Sequence, residues 1–265
     1  MTFKLLFVGD VVGPAGCSAV LDVVPRLRDE LALDAVIVNA ENSAPGGRGV
    51  TEESARSMLE VADFLTLGNH AFDAEGHEKL LEGERRMVRP ANAEEGMPGR
   101  GWGTFEAAGV TVGVVNVLGR VFIDRFPLSS PFEAADRALA ELEEAEADVV
   151  IVDAHAEATS EKQALGYHLA GRAQAVLGTH THVPTADVGV LPGGTAYASD
   201  VGATCCEDSV IGFNRKDFVG LFLGARRRLY AATEGPVIFR SVLVELDPAA
   251  RKAVDARPVY EICYP

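Results

Sequence analysis

The feature that most constrains the fold of this chain is a series of short apolar runs, each continuous and rich in Val, Ile and Leu. A run without an alternating polar face predicts a strand that is buried on both faces, because only packing from both sides removes all of its side chains from water. Amphipathic stretches separate several of the runs, as expected for helices that cover such a sheet. The predicted buried strands are residues 3–8, 35–38, 64–67, 149–152 and 173–177.

The remaining segments complete an α/β pattern. Apolar residues at helical spacing predict three helices, and β-rich segments predict an antiparallel hairpin in the middle of the chain and two strands near its end. The predicted helices are 19–31, 51–61 and 132–145, and the further strands are 101–105, 110–117, 236–246 and 257–262. We therefore expect a single α/β domain over residues 1–265, with two mixed β-sheets packed as a sandwich and flanked by helices, in four layers.

Composition narrows the class of protein. A formal net charge of −15 argues against strong nucleic-acid binding, because the phosphate backbone is held by clustered Lys and Arg. The four cysteines form no C-x-x-C pair, which favours free thiols in a reducing compartment. No segment approaches the ~20 apolar residues that span a bilayer. We therefore expect a cytoplasmic protein that acts on a small molecule away from membranes, and a homo-oligomer stays open.

Short polar segments end five of the predicted strands and carry the residues of chemical interest. Four of the six histidines of the chain lie within these segments. The carboxyl ends of neighbouring strands in an open α/β sheet meet at one edge, where ligands bind, so we expect these side chains to converge. The candidate metal ligands are Asp10, Glu41, Asn42, Asn69, His155, His180 and His182, and the candidate catalytic residue is His70.

These residue types indicate a metal site with oxygen and nitrogen ligands. Imidazole, carboxylate and amide groups suit iron and manganese, with zinc as an alternative, and the absence of cysteines from the segments excludes a thiolate site. His180 and His182 are two positions apart, and in an extended loop both rings would point to the same side. Asp10 alone is typical of a helix cap, and Asn69 alone is typical of a turn, so the metal interpretation depends on the whole set.

Counting charges favours two metal ions over one. Two divalent ions carry +4 and the carboxylates of Asp10 and Glu41 return −2, which leaves about +2 to hold an anionic phosphodiester and a hydroxide. Such a site is suited to phosphoryl transfer by attack of a metal-bound hydroxide. Glu41 is the expected bridging ligand.

The same segments resemble those of the binuclear metallophosphoesterases, and in particular their YmdB-like branch. Val12 stands where the wider superfamily has a His, and Glu41-Asn42 stand where a Gly-Asp motif is usual; both departures are features of this branch. The motifs that carry the resemblance are Gly9-Asp10-Val11-Val12-Gly13, Asn39-Ala40-Glu41-Asn42, Gly68-Asn69-His70, Asp153-Ala154-His155-Ala156-Glu157 and Gly178-Thr179-His180-Thr181-His182-Val183.

The resemblance implies roles for each residue and a reaction. His70 would donate the proton to the leaving oxygen, and the substrate would be a cyclic nucleotide, with the 2′,3′-cyclic form preferred and the 3′,5′-cyclic form next. The implied ligands of the first metal are Asp10, Glu41, Asn42 and His182, and those of the second are Glu41, Asn69, His155 and His180.

Other interpretations stay open from the residues alone. A phosphomonoesterase could use the same metals, a regulatory protein could bind a nucleotide without turning it over, and a metal could simply stabilise the fold. Arg120 follows the predicted hairpin and could reach a substrate phosphate, although a loop arginine is more often solvated. His77 and His168 lie on two further predicted helices and are expected to be ordinary surface or core residues.

Overall fold

Two β-sheets stacked face to face form the centre of the protein. The computed structural model describes residues 2–264, so the first and last residues of the predicted 1–265 domain lie outside the described residues. The strands are β1 (Phe3–Val8), β2 (Asp10–Val11), β3 (Ala35–Asn39), β4 (Phe64–Thr66), β5 (Met87–Val88), β6 (Trp102–Ala107), β7 (Val110–Leu118), β8 (Val149–His155), β9 (Ala175–Thr179), β10 (Gly189–Leu191), β11 (Thr195–Ala198), β12 (Ala203–Cys206), β13 (Ser209–Val210), β14 (Phe213–Asn214), β15 (Val237–Asp247) and β16 (Lys252–Cys263).

Within the described residues, five helices cover the outer faces of the two sheets, and a sixth buries none of its residues. Those between residues 2 and 264 are α1 (Gly13–Leu31), α2 (Glu52–Met58), α3 (His77–Gly83), α4 (Pro131–Glu144), α5 (Thr159–Leu169) and α6 (Arg215–Phe222). None of the helices in this range combines the length and the apolar character needed to cross a membrane.

The apolar runs of the sequence correspond to strands buried on both faces. In β1, Leu5 and Phe7 pack between the two sheets, whereas Leu6 and Val8 pack against α1. In the second sheet, β7 and β8 divide their side chains in the same way between the inter-sheet core and the helices α4 and α5. The order of layers is therefore helix, sheet, sheet, helix, which confirms the predicted four-layer sandwich.

Both sheets are mixed, and their parallel strands lie next to one another. In the first sheet β1, β3, β4 and β5 are parallel neighbours, and β15 joins them in the antiparallel direction. In the second sheet β7, β8, β9 and β11 are parallel neighbours, with β6 and β10 as antiparallel edges. Most of these parallel strands end in the polar segments.

Most predicted elements are confirmed, and the differences concern their ends. The hairpin β6–β7 and the C-terminal pair β15–β16 are antiparallel as predicted, and the Thr51 side chain caps α2 with Ser54 in a reciprocal capping box. Helix α1 begins at Gly13, six residues earlier than predicted, and it continues through Pro25. Strand β8 extends to His155, so this residue lies within the strand rather than after it.

Candidate active site

The polar segments of both sheets meet at one edge of the sandwich. The first sheet contributes residues at the ends of β1, β3 and β4, and the second contributes residues at the ends of β8 and β9. The residues thus brought together are Asp10, Glu41, Asn42, Asn69, His70, His155, His180 and His182. The sequence predicts all eight.

One group of donor atoms surrounds the Nε2 atom of His155. The carboxylate oxygen Oε1 of Glu41 lies 3.1 Å from it, the amide oxygen of Asn69 lies at 3.0 Å, and Nδ1 of His180 lies at 3.1 Å. Glu41, His155 and His180 offer ligand atoms that all lie within 4.8 Å of one another. These are the residues that the family resemblance assigns to one metal ion.

A second group lies around Nε2 of His182. The amide oxygen of Asn42 is 3.2 Å from this nitrogen, and Oδ1 of Asp10 is 3.8 Å from it. The side-chain amide of Asn42 donates to the carbonyl oxygen of Gly47 at 2.8 Å, which points its own oxygen towards His182. Nδ1 of His182 lies 2.7 Å from the carbonyl oxygen of Ile211, so that nitrogen carries the proton and Nε2 keeps its lone pair.

A buried hydrogen-bond chain orients the ring of His155. Its Nδ1 lies 2.8 Å from the Thr179 hydroxyl, which donates to the Asp153 carboxylate at 2.6 Å. The other carboxylate oxygen of Asp153 accepts hydrogen bonds from Asn39 at 2.8 Å and from Thr66. Because the Thr179 hydroxyl proton points to Asp153, its oxygen accepts from Nδ1 of His155, and Nε2 faces the donor group.

The loop that carries His180 and His182 is not extended, so the predicted geometry of this pair is wrong. Both residues have positive φ, 96° and 66° respectively, which few non-glycine residues adopt. Both rings nevertheless reach the site. Asp200 holds this loop by accepting hydrogen bonds from the backbone N–H and the hydroxyl of Thr181, at 3.0 and 2.7 Å. The buried Lys162 pairs with the same carboxylate at 2.7 Å.

Electrostatics within the site follow from burial and from the neighbouring charges. Burial raises the pKa of Asp10. Burial also favours the neutral form of Glu41, but the charge and hydrogen bond of His155 outweigh it and hold the Glu41 pKa well below its usual range. Glu41 conversely overcomes the burial of His155 and raises the pKa of that ring to about 9. Burial and the neighbouring His155 lower the pKa of His180 to about 3.

The donor set fits a divalent cation. Oδ1 of Asp10 is a buried carboxylate oxygen without a hydrogen-bond partner in the described part of the chain, and such an oxygen is costly to bury unless a cation satisfies it. Gly68 keeps space around the same atoms, because a Cβ at this position would clash with the Glu41 carboxylate and the His155 ring. The site thus has converging oxygen and nitrogen donors, and the backbone at Gly68 packs so closely against them that no side chain fits there.

His70 lies beside the donor groups rather than within them. Its backbone N–H donates to Oε2 of Glu41 at 3.0 Å, and its Nδ1 lies 2.7 Å from the Asp73 carboxylate. Arg125 also contacts Asp73. With Nδ1 bonded to Asp73, Nε2 is the ring nitrogen left for the cavity, whose lining includes His70.

The lining of the cavity above the donor groups excludes three residues that the sequence singles out and includes one that it does not. Arg120 does not line it; its backbone N–H donates to Glu161 at 3.0 Å, and its side chain is exposed. His77 and His168 do not line it either, and His168 pairs with Asp136 on the surface. Arg48 does line the cavity, and no motif in the sequence singles it out, although the glycines on either side of it are a signal for an unusual backbone next to a functional segment.

Comparison with known proteins agrees with this architecture. The family model of the YmdB-like protein matches residues 6–259. The 2′,3′-cyclic-nucleotide 2′-phosphodiesterase of Bacillus subtilis is 40% identical over 252 residues, which cover 95% of this chain and 94% of that protein.

Two solved structures superpose over nearly the whole chain. A hypothetical protein from Thermus thermophilus has a TM-score of 0.90 at 42% identity, covering 99% of this chain and 100% of that one. A novel phosphatase from Mycoplasma pneumoniae has a TM-score of 0.91 at 30% identity, covering 99% and 94%. The match of the family model over nearly the full length, together with these relatives, means that the chain belongs to the YmdB-like protein family.

Proposed function

We propose that this protein is a metal-dependent phosphodiesterase that hydrolyses cyclic nucleotides, with 2′,3′-cyclic nucleotides preferred over the 3′,5′-cyclic form. The observation that supports this proposal best is the convergence of two carboxylates, two amide oxygens and three imidazoles around His155 Nε2 and His182 Nε2. The name of the Bacillus subtilis relative supports the choice of substrate. We also infer that residues 1–265 act as one domain, because both sheets contribute to the site.

The two donor groups define the proposed ligand sets. Asp10, Glu41, Asn42 and His182 would hold one ion, and Glu41, Asn69, His155 and His180 would hold the other. The family resemblance places Glu41 in both sets; its Oε1 faces His155, and its Oε2 accepts the N–H of His70. Two divalent ions, iron or manganese with zinc as an alternative, would supply Lewis acidity towards the phosphoryl oxygens and the attacking water.

His70 is the proposed proton donor. The Asp73 carboxylate accepts a hydrogen bond from Nδ1–H of the ring and fixes its orientation, so that Nε2 presents a proton to the leaving oxygen of the substrate. Opening of a cyclic phosphodiester produces an alkoxide that must be protonated, and a positioned imidazolium supplies that proton. The side chain of His70 is 16% exposed, so the ring is accessible from the cavity and yet held on one side.

The proposal is tested by metal analysis combined with a substrate screen. Protein purified without chelator should contain about two divalent ions per chain by plasma emission. It should hydrolyse 2′,3′-cyclic AMP faster than 3′,5′-cyclic AMP, and both faster than AMP. Protein with a full metal complement that hydrolyses no phosphodiester would contradict the proposal.

A phosphomonoesterase is the second candidate, because the Mycoplasma pneumoniae relative is described as a phosphatase. The same screen separates the two functions, since a monoesterase would release phosphate from AMP and leave the cyclic substrates intact. A regulatory protein that only binds nucleotides would gain thermal stability from 2′,3′-cyclic AMP without consuming it.

A further inference from the structure

The cavity over the donor groups has two chemically different walls. Its volume is about 320 Å³, within the range of small-molecule sites. One wall is polar and comes from segments that follow the parallel strands; besides the residues already described it includes Glu157, whose carboxylate lies 3.1 Å from Nε2 of His180. The other comes from a single segment of the chain, residues 211–229, and it is apolar. The residues of this apolar wall are Ile211, Phe213, Phe218 and Leu229.

Helix α6 supplies Phe218, one of the two aromatic rings of the apolar wall. None of the residues of α6 is buried, so the helix adds nothing to a hydrophobic core, and its first turn is instead fixed by the Asn214 side chain. Phe218 is half-buried, and its ring centre lies 6.3 Å from that of Phe213 and 5.8 Å from that of Phe222. Phe222 is 81% exposed and does not line the cavity.

Arg48 stands where the two walls meet. Within residues 2–264 it is the only arginine or lysine side chain that lines the cavity, and no carboxylate in that range forms an ion pair with it. Its guanidinium lies 5.8 Å from the centre of the Phe213 ring. The preceding Gly47 has a φ of 76° and accepts the hydrogen bond of Asn42, so the Arg48 loop is tied to the donor groups.

We propose that the apolar wall binds the nucleoside half of the substrate, with Phe218 stacked on the nucleobase and Arg48 paired with the phosphate charge. This inference rests on the proposed phosphodiesterase function and adds the residues that would distinguish a nucleotide from other cyclic phosphates. An aromatic ring stacks on any base, so the wall accepts purines and pyrimidines alike. An unpaired guanidinium in a cavity is suited to a phosphate oxygen.

The test for Phe218 compares two substrates that differ only in the base. One is 2′,3′-cyclic AMP, and the other is methyl ribofuranoside 2′,3′-cyclic phosphate, which has no base. For cyclic AMP, Phe218→Ala should raise KM about 5- to 150-fold and leave kcat nearly unchanged, the range expected for loss of one stacking contact. For the baseless substrate KM should not change, and Phe218→Trp should retain the wild-type preference.

Phe222→Ala is the matched control, because it removes the same side chain from the same helix outside the cavity. Phe222→Ala should leave kcat and KM unchanged for both substrates. An equal rise in KM for cyclic AMP in Phe218→Ala and Phe222→Ala would show that the effect comes from the helix as a whole, and it would overturn the stacking role. An equal rise in KM for both substrates in Phe218→Ala would also overturn the stacking role.

The test for Arg48 removes the positive charge of its side chain. Arg48→Gln should raise KM for both substrates to the same extent, since both carry the phosphate. Metal content by plasma emission and Tm should stay at wild-type values. Arg120→Gln is the control, as this arginine is exposed and lies outside the cavity lining. A wild-type KM for Arg48→Gln would show that Arg48 does not bind the substrate phosphate.

Failure of the proposed function gives a different result from failure of this inference. If the metal-loaded wild type hydrolyses neither cyclic phosphate, the proposed phosphodiesterase is wrong. Calorimetric measurement of binding still tests the role of the apolar wall. Phe218→Ala must weaken the affinity for 2′,3′-cyclic AMP and leave the affinity for the baseless compound unchanged. If the wild type binds both compounds with equal affinity, the wall does not recognise a base.

Discussion

Asp200 is predicted to control both the stability of the protein and its capacity for metal, although it is not a proposed ligand. Its carboxylate is 1% exposed and uses both oxygens. Oδ2 accepts from Lys162 and twice from Thr181, and Oδ1 accepts from the backbone N–H of Gly202 at 2.8 Å. An asparagine has only one acceptor oxygen, so Asp200→Asn must turn an amide N–H towards one of these donors and leave the buried Lys162 without a counter-charge.

The structure sets the size of the effect. Breaking one side of a buried ion pair costs about 3–5 kcal/mol. A protein of this length loses roughly 2–4 °C of Tm per kcal/mol, so we expect Tm to fall by roughly 6–20 °C. The hydrogen bonds to Thr181 also hold the strained backbone of the neighbouring histidines, whose positive φ values cost of order 1–3 kcal/mol each. Metal affinity should therefore fall about 10- to 100-fold, as it does when a partner of a ligand is lost.

A double variant separates the two effects. Lys162→Met combined with Asp200→Asn removes the unpaired buried charge, so calorimetry should recover most of the lost Tm, whereas the metal affinity measured by chelator competition should stay low. Asp136→Asn is the control, because its ion pair with Arg172 is 40% exposed on the Asp side and contributes at most ~1 kcal/mol. Wild-type metal affinity in Asp200→Asn, or full recovery of affinity in the double variant, would refute the positioning role.

Three further predictions concern the site itself. Glu41→Ala should lose both metal ions by plasma emission, and a full complement in this variant would rule out a bridging role. His70→Ala should keep metal and fold but lose about 10²–10⁴-fold in kcat, and the loss should shrink for nitrophenolate leaving groups; a uniform loss would mean that the ring only holds the phosphate. Gly68→Ala should lower metal content while Gly83→Ala, whose added Cβ meets nothing within 4 Å, should not; equal metal content in the two variants would refute the crowding argument.

The long elements of the fold could be predicted because each carries a signal within its own sequence. Strands β1, β3, β8 and β9 are buried on both faces and are therefore largely apolar. The two-residue strands β2, β5, β13 and β14 are too short to show any period. The apolar spacing predicts too short a helix α1 because the first turns contain glycines, although Pro14 in the first turn is a signal for a helix start that the spacing alone does not use.

The donor residues could be predicted for a related reason, whereas the residues that support them could not. Each donor lies at or just after the end of a recognisable strand. Asp153 and Thr179 belong to the quoted motifs, but no pattern in the sequence indicates that they contact each other across two strands. Asp200 and Lys162 are 38 residues apart. Their role depends on which distant segments meet, and such contacts between remote segments leave no periodic trace in a single sequence.

The buried Asp153 links the two sheets beneath the site. Its carboxylate accepts hydrogen bonds from Asn39 and Thr66 of the first sheet and from Thr179 of the second. Burial raises its pKa to about 6, although the neighbouring His155 and the three hydrogen-bond donors favour its charged form. Because one carboxylate ties both sheets beneath the donor groups, it holds Glu41 of the first sheet and His155 of the second at the separation that the proposed shared cation would require.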